Sequence, residues 1–136
     1  MSAPKKILFL CVGNTCRSQM AEGFARHYGG GDVEVRSAGT SAAGYINRTT
    51  IAMMKEKGID ISSQTSDQVT DEMLEWADVV VTMGCCSADE VCPASFKGEK
   101  QDWPIEDPLG MGPDFFRRVR DDIEERVKRL VEQGKE

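Results

Sequence analysis

The chain has 136 residues, of which 40% are hydrophobic and 29% are charged, and this composition predicts one globular domain spanning residues 1–136. A formal net charge of −6 disfavours a nucleic-acid surface held by phosphate contacts. No apolar run reaches the roughly 20 residues needed to cross a bilayer, and no signal-peptide pattern is present, so we expect a cytosolic protein without a membrane anchor.

Apolar runs and helical periodicity alternate along the chain. Residues 5–11 predict a buried strand and residues 17–28 a helix. Further strands are expected at 33–37, 79–81 and 100–103, with a turn at 38–39 and a loop at 84–98. Asn47 and Thr70 are expected to cap two more helices, and Pro113 starts a long amphipathic one. This order predicts a single doubly wound α/β domain whose four-stranded parallel sheet is flanked by helices on both faces.

A short stretch joins the first predicted strand to the first predicted helix. It reads Cys11, Val12, Gly13, Asn14, Thr15, Cys16, Arg17 and Ser18. Ligands of open α/β sheets bind at the carboxyl ends of the strands, and helix N-termini offer unpaired N–H groups to anions. Because Gly13 and Asn14 tolerate a positive φ, the backbone can curl until successive amides point inward. Residues 12–17 are therefore predicted to bind an oxyanion.

Three side chains of this stretch suit nucleophilic chemistry on a bound oxyanion. The field that attracts an anion also favours the reactive thiolate of Cys11. Arg17 carries a planar fork that can hold two oxygens of a tetrahedral anion, and the Ser18 hydroxyl can donate to the thiolate or to a departing sulfur. The spacing of Cys11 and Arg17 alone would also fit a buried cysteine beside a tight turn. The glycine, the asparagine and the flanking strand and helix favour the catalytic interpretation.

The five cysteines are an odd number in a chain expected in a reducing compartment, so structural disulfides are not predicted. Cys85 and Cys92 lie seven residues apart, at the same end of the predicted sheet as Cys11. They could be ordinary reduced thiols, metal ligands or a redox pair. Zinc is disfavoured because the chain has one histidine and the adjacent Cys85 and Cys86 are poorly spaced as ligands. Cys16 is expected to pack inside the loop.

The stretch from Cys11 to Gly23 resembles the low-molecular-weight protein tyrosine phosphatase family, and within it the thioredoxin-coupled arsenate reductase branch. In that family Cys11 would be the nucleophile, Arg17 the oxyanion clamp and Asp107 the general acid that protonates a departing oxygen. The spacing of Cys85 and Cys92 matches the reductase branch. The resemblance covers nearly the whole chain. It extends to Ser37-Ala38-Gly39, Thr65-Ser66-Asp67, residues 85–92 (the cysteine segment, with Cys85, Cys86 and Cys92), Glu106-Asp107-Pro108 and the last helix.

The resemblance implies that arsenate is reduced to arsenite by a relay of three cysteines. Cys11 would attack arsenate, Cys85 would attack Cys11 and release arsenite, and Cys92 would attack Cys85. The resulting Cys85–Cys92 disulfide would be reduced by thioredoxin, so no bound redox cofactor is expected. If residues 85–92 were helical, the two Cα atoms would stand about 10 Å apart, beyond the roughly 7 Å of a disulfide, and the segment would have to unwind. Phosphate and sulfate are expected as substrate analogues, and the protein as a monomer.

Five side chains match positions that bind potassium in some relatives, and they could equally form a structural hydrogen-bond network: Asn14, Glu22, Ser37, Thr65 and Asp67. Two other functions stay open. One is phosphomonoester hydrolysis through a phosphocysteine at Cys11, because the catalytic set is present. The tyrosines that typically follow Asp-Pro in the phosphatase branch are absent here, which favours a small inorganic substrate. The other is a non-catalytic thiol redox sensor or soft-metal binder at the cysteine segment.

Overall fold

The computed structural model describes residues 4–133, so the first three and last three residues of the predicted domain lie outside the described residues. A 3-10 turn at Gly30–Asp32 connects the first helix to the second strand. The strands and α-helices, in chain order, are β1 Lys5–Cys11, α1 Arg17–Gly29, β2 Val33–Gly39, α2 Arg48–Lys55, α3 Asp71–Trp76, β3 Val79–Thr82, α4 Ala88–Val91, β4 Glu99–Asp102 and α5 Pro113–Gln133.

The strands form one sheet in the order β2-β1-β3-β4, and all neighbouring pairs are parallel. The predicted four-stranded parallel sheet is therefore confirmed. The apolar strand β3 is wholly buried at the centre, whereas the polar strand β4 lies at an edge with its side chains largely exposed. Because every strand runs in the same direction, the loops after β1, β2, β3 and β4 meet at one edge of the sheet.

Helices cover both faces of the sheet, as predicted. Successive side chains of a strand point to opposite faces, so β1 divides its apolar residues between two cores. Ile7 and Phe9 pack with α1, α2 and α5, whereas Leu8 and Leu10 pack with α3 and Cys92. In the described residues, no helix is both long enough and apolar enough to span a membrane.

The predicted helix caps are confirmed. The Asn47 side chain accepts hydrogen bonds from the N–H groups of Thr49 and Thr50, and Thr70 accepts from Met73. These bonds satisfy N–H groups that have no partner inside a helix, which explains why α2 and α3 begin directly after the two capping residues.

Two local predictions are wrong. The predicted loop 84–98 contains the short helix α4, whose first turn is capped by the Ser87 hydroxyl accepting from Asp89 N–H. The predicted turn at 38–39 is instead the end of β2, because Ala38 and Gly39 pair with the last two residues of β1. Pairing with a neighbouring strand overrides the turn preference of a short Ala-Gly sequence.

Candidate active site at the carboxyl edge of the sheet

Backbone carbonyl groups of the loop between β1 and α1 accept hydrogen bonds from a neighbouring segment of the chain. Backbone N–H groups of the segment that follows β2 donate to four of them, over 2.9 to 3.1 Å. The pairs are Thr40 to Cys11, Ser41 to Val12, Ala43 to Gly13 and Asn47 to Thr15. Outward carbonyl groups leave the amides of the same loop on its inner side, as in an anion-binding nest.

The inner amides of this loop are available to a ligand. In the described part of the chain, the N–H groups of residues 13–16 donate to no protein acceptor. Of the two residues that tolerate a positive φ, Asn14 adopts one of 53° and Gly13 does not. Gly39 packs so closely against the loop that a Cβ there would lie 2.4 Å from the Val12 carbonyl oxygen. A glycine at the end of β2 therefore allows the loop to lie against that strand, a role that the sequence analysis missed.

The thiol of Cys11 lies at the start of the loop and is 2% exposed. Its Sγ is 2.9 Å from Ser18 Oγ, and Asn14 Nδ2 donates to that same oxygen over 2.7 Å. Since Asn14 supplies a hydrogen to the Ser18 oxygen, the hydroxyl hydrogen of Ser18 can point to the sulfur. This chain of contacts gives the Cys11 sulfur a hydroxyl group as hydrogen-bond donor.

Arg17 is the first residue of α1 and is buried in the same place. Its Nη1 donates to the carbonyl oxygen of Met83, over 2.6 Å, and to that of Ile105, over 3.0 Å. These residues follow β3 and β4, so one guanidinium nitrogen joins three loops of the site. Within residues 4–133 the other guanidinium nitrogens bind no protein acceptor, so they stay available for an oxyanion, which suits the predicted clamp.

Gly84 follows Met83 and permits this close approach. Its φ is 86°, and a Cβ there would lie 2.2 Å from the Ile105 carbonyl oxygen and 2.8 Å from Arg17 Nη1. A left-handed backbone with no room for a side chain requires glycine. Nothing in the local sequence pointed to this role, because the contact joins residues that are far apart in the chain.

Asp107 lies in the loop after β4, with an exposed side chain. Its Oδ1 accepts from the N–H of Leu109 over 3.1 Å, which fixes the carboxylate within a short turn. Burial raises the pKa of Cys16 to about 12, and the charge of Asp107 adds to that increase. Ile105, two residues before Asp107, accepts a hydrogen bond from Arg17, so the loop that carries Asp107 is tied to the start of α1. Cys16 packs in the core, as expected for a packing residue.

The cysteine segment contains a disulfide, although no structural disulfide was predicted. The structure joins Cys85 to its neighbour Cys86 and leaves Cys92 as a free thiol. The Cys85–Cys92 disulfide that the relay would form after reduction of arsenate stays a prediction. Cys85 and Cys86 precede α4 and are partly exposed, whereas Cys92 directly follows α4 and is 7% exposed in the second core. Cys85 Sγ also lies 3.8 Å from the carbonyl oxygen of Leu10, the residue before Cys11.

The short helix α4 is attached to the edge strand. Asp102 accepts a hydrogen bond from the Ala88 N–H over 2.8 Å and is also bonded to the Thr82 hydroxyl. Lys100 forms an ion pair with Asp89 at 3.0 Å. These contacts hold the residues between Cys86 and Cys92 against β4.

The five residues considered for potassium do lie in one polar network, where Asn14 Nδ2 also donates to Ser37 Oγ. Ser37 donates to Glu22, which also pairs with Arg26 at 2.9 Å, and burial raises the pKa of Glu22. Asn14 Oδ1 accepts from Asp67 N–H, and Thr65 donates to the Asp67 carboxylate. Protein donors thus bind both carboxylate oxygens of Glu22, the amide oxygen of Asn14 and one carboxylate oxygen of Asp67. Potassium binding at this network stays a prediction.

Gln19 is a buried residue of the site that the sequence analysis did not identify. Its Nε2 donates to the carbonyl oxygens of Asn14 and Thr65, over 2.8 and 2.9 Å, and its Oε1 accepts from Gln64. It therefore binds the carbonyl of the one loop residue that carries a positive φ. A polar side chain in the first turn of α1, a turn that is buried, was the signal that could have identified Gln19.

Comparison with known proteins extends this description to the whole chain. A model of the low molecular weight phosphotyrosine protein phosphatase family matches residues 6–136. The chain is 49% identical to an arsenate reductase of Halalkalibacterium halodurans, over 96% of this chain and 98% of that protein. The matched region includes the loop at 11–18 and the cysteine segment.

Solved structures show the same relationship. One similar structure is described as an arsenate reductase in the phosphate binding state, with a TM-score of 0.83 and 41% identity over 95% of this chain and 98% of that chain. Another is a thioredoxin-dependent arsenate reductase from Corynebacterium glutamicum, with a TM-score of 0.84 and 34% identity over 98% of this chain and 63% of that chain. The fold similarity thus accompanies substantial sequence identity in both cases.

Proposed function

The chain belongs to the low molecular weight phosphotyrosine protein phosphatase family, and we propose that it works there as an arsenate reductase that receives its electrons from thioredoxin. Relatives named arsenate reductase are nearly half identical to it over almost their full length. A thioredoxin-dependent enzyme of the same name shares its fold. The relay requires thiols that are kept reduced, so we place the enzyme in the cytosol.

The position of Cys85 is the observation that carries this proposal. A phosphatase of this kind needs one thiol and a water, whereas reduction by thiols needs a disulfide to form and release two electrons. Cys85 Sγ lies against the backbone of Leu10, next to Cys11 in the chain. Arg17 binds the carbonyl of Met83, so the loop that carries Cys85 is tied to the oxyanion loop. A second cysteine in a loop that is tied to the loop of the nucleophile favours reduction over hydrolysis.

In the first step, the Cys11 thiolate attacks arsenic, a sulfur–arsenic bond forms and one arsenic–oxygen bond breaks. Inner amides of residues 13–16 and the guanidinium of Arg17 hold the remaining oxygens and balance their charge. Ser18 donates to the thiolate before the attack. Asp107 supplies the proton with which the departing oxygen leaves as water. Arsenic stays pentavalent in this step.

In the second step, the Cys85 thiolate attacks the Cys11 sulfur. The electron pair of the sulfur–arsenic bond stays on arsenic, which leaves as trivalent arsenite while a Cys11–Cys85 disulfide forms. Cys92 then attacks Cys85 and frees Cys11, and thioredoxin reduces the product disulfide. Burial raises the pKa of Cys92, so this thiol has to leave its place in the core before it reacts.

Arsenate-dependent oxidation of NADPH, with thioredoxin and thioredoxin reductase supplied, tests the function. We expect sustained oxidation with the natural protein and none with Cys11→Ser, and thermal melting will show whether that variant is folded. Absence of arsenate-dependent oxidation by the natural protein, with all its cysteines shown to be reduced, would contradict the proposal.

Phosphomonoester hydrolysis is the second candidate, because the matched family is one of phosphotyrosine phosphatases and the set of Cys11, Arg17 and Asp107 would serve both reactions. Turnover of an aryl phosphate that survives replacement of Cys85, Cys86 and Cys92 together would identify phosphatase chemistry. Tight stoichiometric binding of a soft metal, without turnover of either substrate, would instead indicate the thiol sensor or metal binder.

A further inference from the structure

The cysteine segment contains one thiol that the relay above does not use. Cys86 directly follows Cys85, and the structure pairs these two sulfurs while Cys92 stays free. We propose that Cys86 is a second resolving cysteine, which attacks Cys85 and closes a Cys85–Cys86 disulfide that thioredoxin can reduce. This inference rests on the proposed reduction of arsenate through Cys11 and Cys85.

Exposure distinguishes the two candidate resolving thiols. Cys86 is partly exposed in the loop after β3, beside Cys85. Cys92 is 7% exposed and packs among Leu8, Leu74 and other apolar residues of the second core. Since a thiol reacts as thiolate, burial slows Cys92, and its pKa is raised for that reason. The partly exposed thiol next to Cys85 meets no such obstacle.

The contacts of α4 also separate the two routes. Cys92 N–H bonds to the Ala88 carbonyl over 2.9 Å, and Ala88 N–H bonds to Asp102 on β4. The ion pair of Lys100 and Asp89 adds a further attachment. For Cys92 to take part, it must leave the core in which it packs at the end of α4. Cys86 lies before the helix, so its disulfide with Cys85 forms while the α4 contacts stay in place.

The chemistry of this step balances without any new reagent. Cys86 loses its proton to solvent, and its thiolate attacks Cys85 Sγ in the Cys11–Cys85 disulfide. The bond between Cys11 and Cys85 breaks, and its electron pair leaves on Cys11 as a thiolate. The two electrons that reduced arsenic are now missing from Cys85 and Cys86. The dithiol of thioredoxin supplies two electrons and restores both thiols.

Disulfide mapping of the natural protein tests the pairing directly. The protein is reduced, given arsenate without thioredoxin, alkylated and cleaved after Glu90, which separates Cys86 from Cys92. A Cys85–Cys86 disulfide leaves the Cys92 peptide free and alkylated, whereas a Cys85–Cys92 disulfide links the two peptides. We expect a substantial share of the first product. Linked peptides alone would overturn the proposal.

Turnover of variants tests whether the pairing is used. Arsenite formed per enzyme is compared for the natural protein, Cys92→Ser and the double variant Cys86→Ser/Cys92→Ser, with thioredoxin present. The first arsenite released needs only Cys11 and Cys85, so an equal initial burst shows that each variant is folded. We expect Cys92→Ser to continue over many turnovers and the double variant to stop after its burst.

Two results of this comparison would overturn the role of Cys86. One is a Cys92→Ser protein that stops after its burst with a Cys11–Cys85 disulfide. The other is a double variant that turns over as fast as Cys92→Ser. Failure of the proposed function itself is distinguishable, because the natural protein would then form no arsenite even in its first turnover.

Discussion

Replacement of Arg17 by lysine tests the site most directly, because it keeps the charge and removes the fork. In the structure Nη1 alone serves two buried carbonyl groups, those of Met83 and Ile105. The remaining guanidinium nitrogens would hold the oxyanion. A lysine ammonium is a compact donor that cannot reach both carbonyls and two oxygens of a bound anion.

The structure sets two separate magnitudes for this change. At least one hydrogen bond from a charged donor to a buried carbonyl is lost, which costs about 1.5 to 3 kcal/mol of unfolding free energy. For a domain of this length that lowers the melting temperature by roughly 5 to 15 °C. Loss of a preorganised oxyanion donor should reduce the rate of arsenate reduction about 100- to 1000-fold, which is about 2.7 to 4 kcal/mol.

Arg120→Lys is the matched control. Arg120 is 6% exposed, against 7% for Arg17, and its Nη1 donates to the Met53 carbonyl over 3.0 Å and to Glu56 over 2.5 Å. These contacts join α2 and α5, away from the loops that hold Cys11. We expect the control to lose comparable stability and to keep most of its single-turnover rate.

The assay is the rate of the first arsenite released at 25 °C, where both variants remain folded, together with thermal melting of each. Arg17→Lys retaining more than about a tenth of the natural rate would refute the role of the fork in holding the oxyanion, because that corresponds to less than about 1.4 kcal/mol. Equal loss of rate in the two variants would show that the effect comes from stability.

Three further predictions follow from single contacts. Gly84→Ala should lose more stability in urea than Gly110→Ala, because both glycines have positive φ but only Gly84 would place its Cβ against the Ile105 carbonyl; equal losses would contradict this. Two arginines of α5 lower the pKa of Glu56 to about 2, so its contribution to stability is present above pH about 4.5 and is lost as the pH falls through about 2. Glu56→Gln should therefore melt below the natural protein at pH 6, and the gap should close toward pH 2; a constant gap would be inconsistent with this. Burial raises the pKa of Cys16 to about 12, so iodoacetamide at pH 8 should leave Cys16 unmodified until the protein unfolds. Modification of Cys16 in the folded protein, found by peptide mapping, would show that its thiol is not buried.

Local sequence was sufficient for most of the fold. The strands at 5–11 and 79–81 are uninterrupted apolar runs, and the helices begin after residues whose side chains bind backbone N–H groups. Both signals act within a few residues, so they can be read without knowledge of the rest of the chain. The predictions that were wrong, the loop at 84–98 and the turn at 38–39, depend on contacts with β4 and β1.

The loop that starts at Cys11 was likewise predictable, because its glycine, asparagine, arginine and serine lie within a few residues between a strand and a helix. What surrounds that loop was decided only by the tertiary structure. The carbonyl groups that Arg17 binds lie 66 and 88 residues away, and Gly84 is required because of that same approach. The structure pairs Cys85 with the neighbouring Cys86, whereas the second core buries Cys92. Sequence spacing fixes which groups are close along the chain, whereas burial and reach in space decide which of them can react.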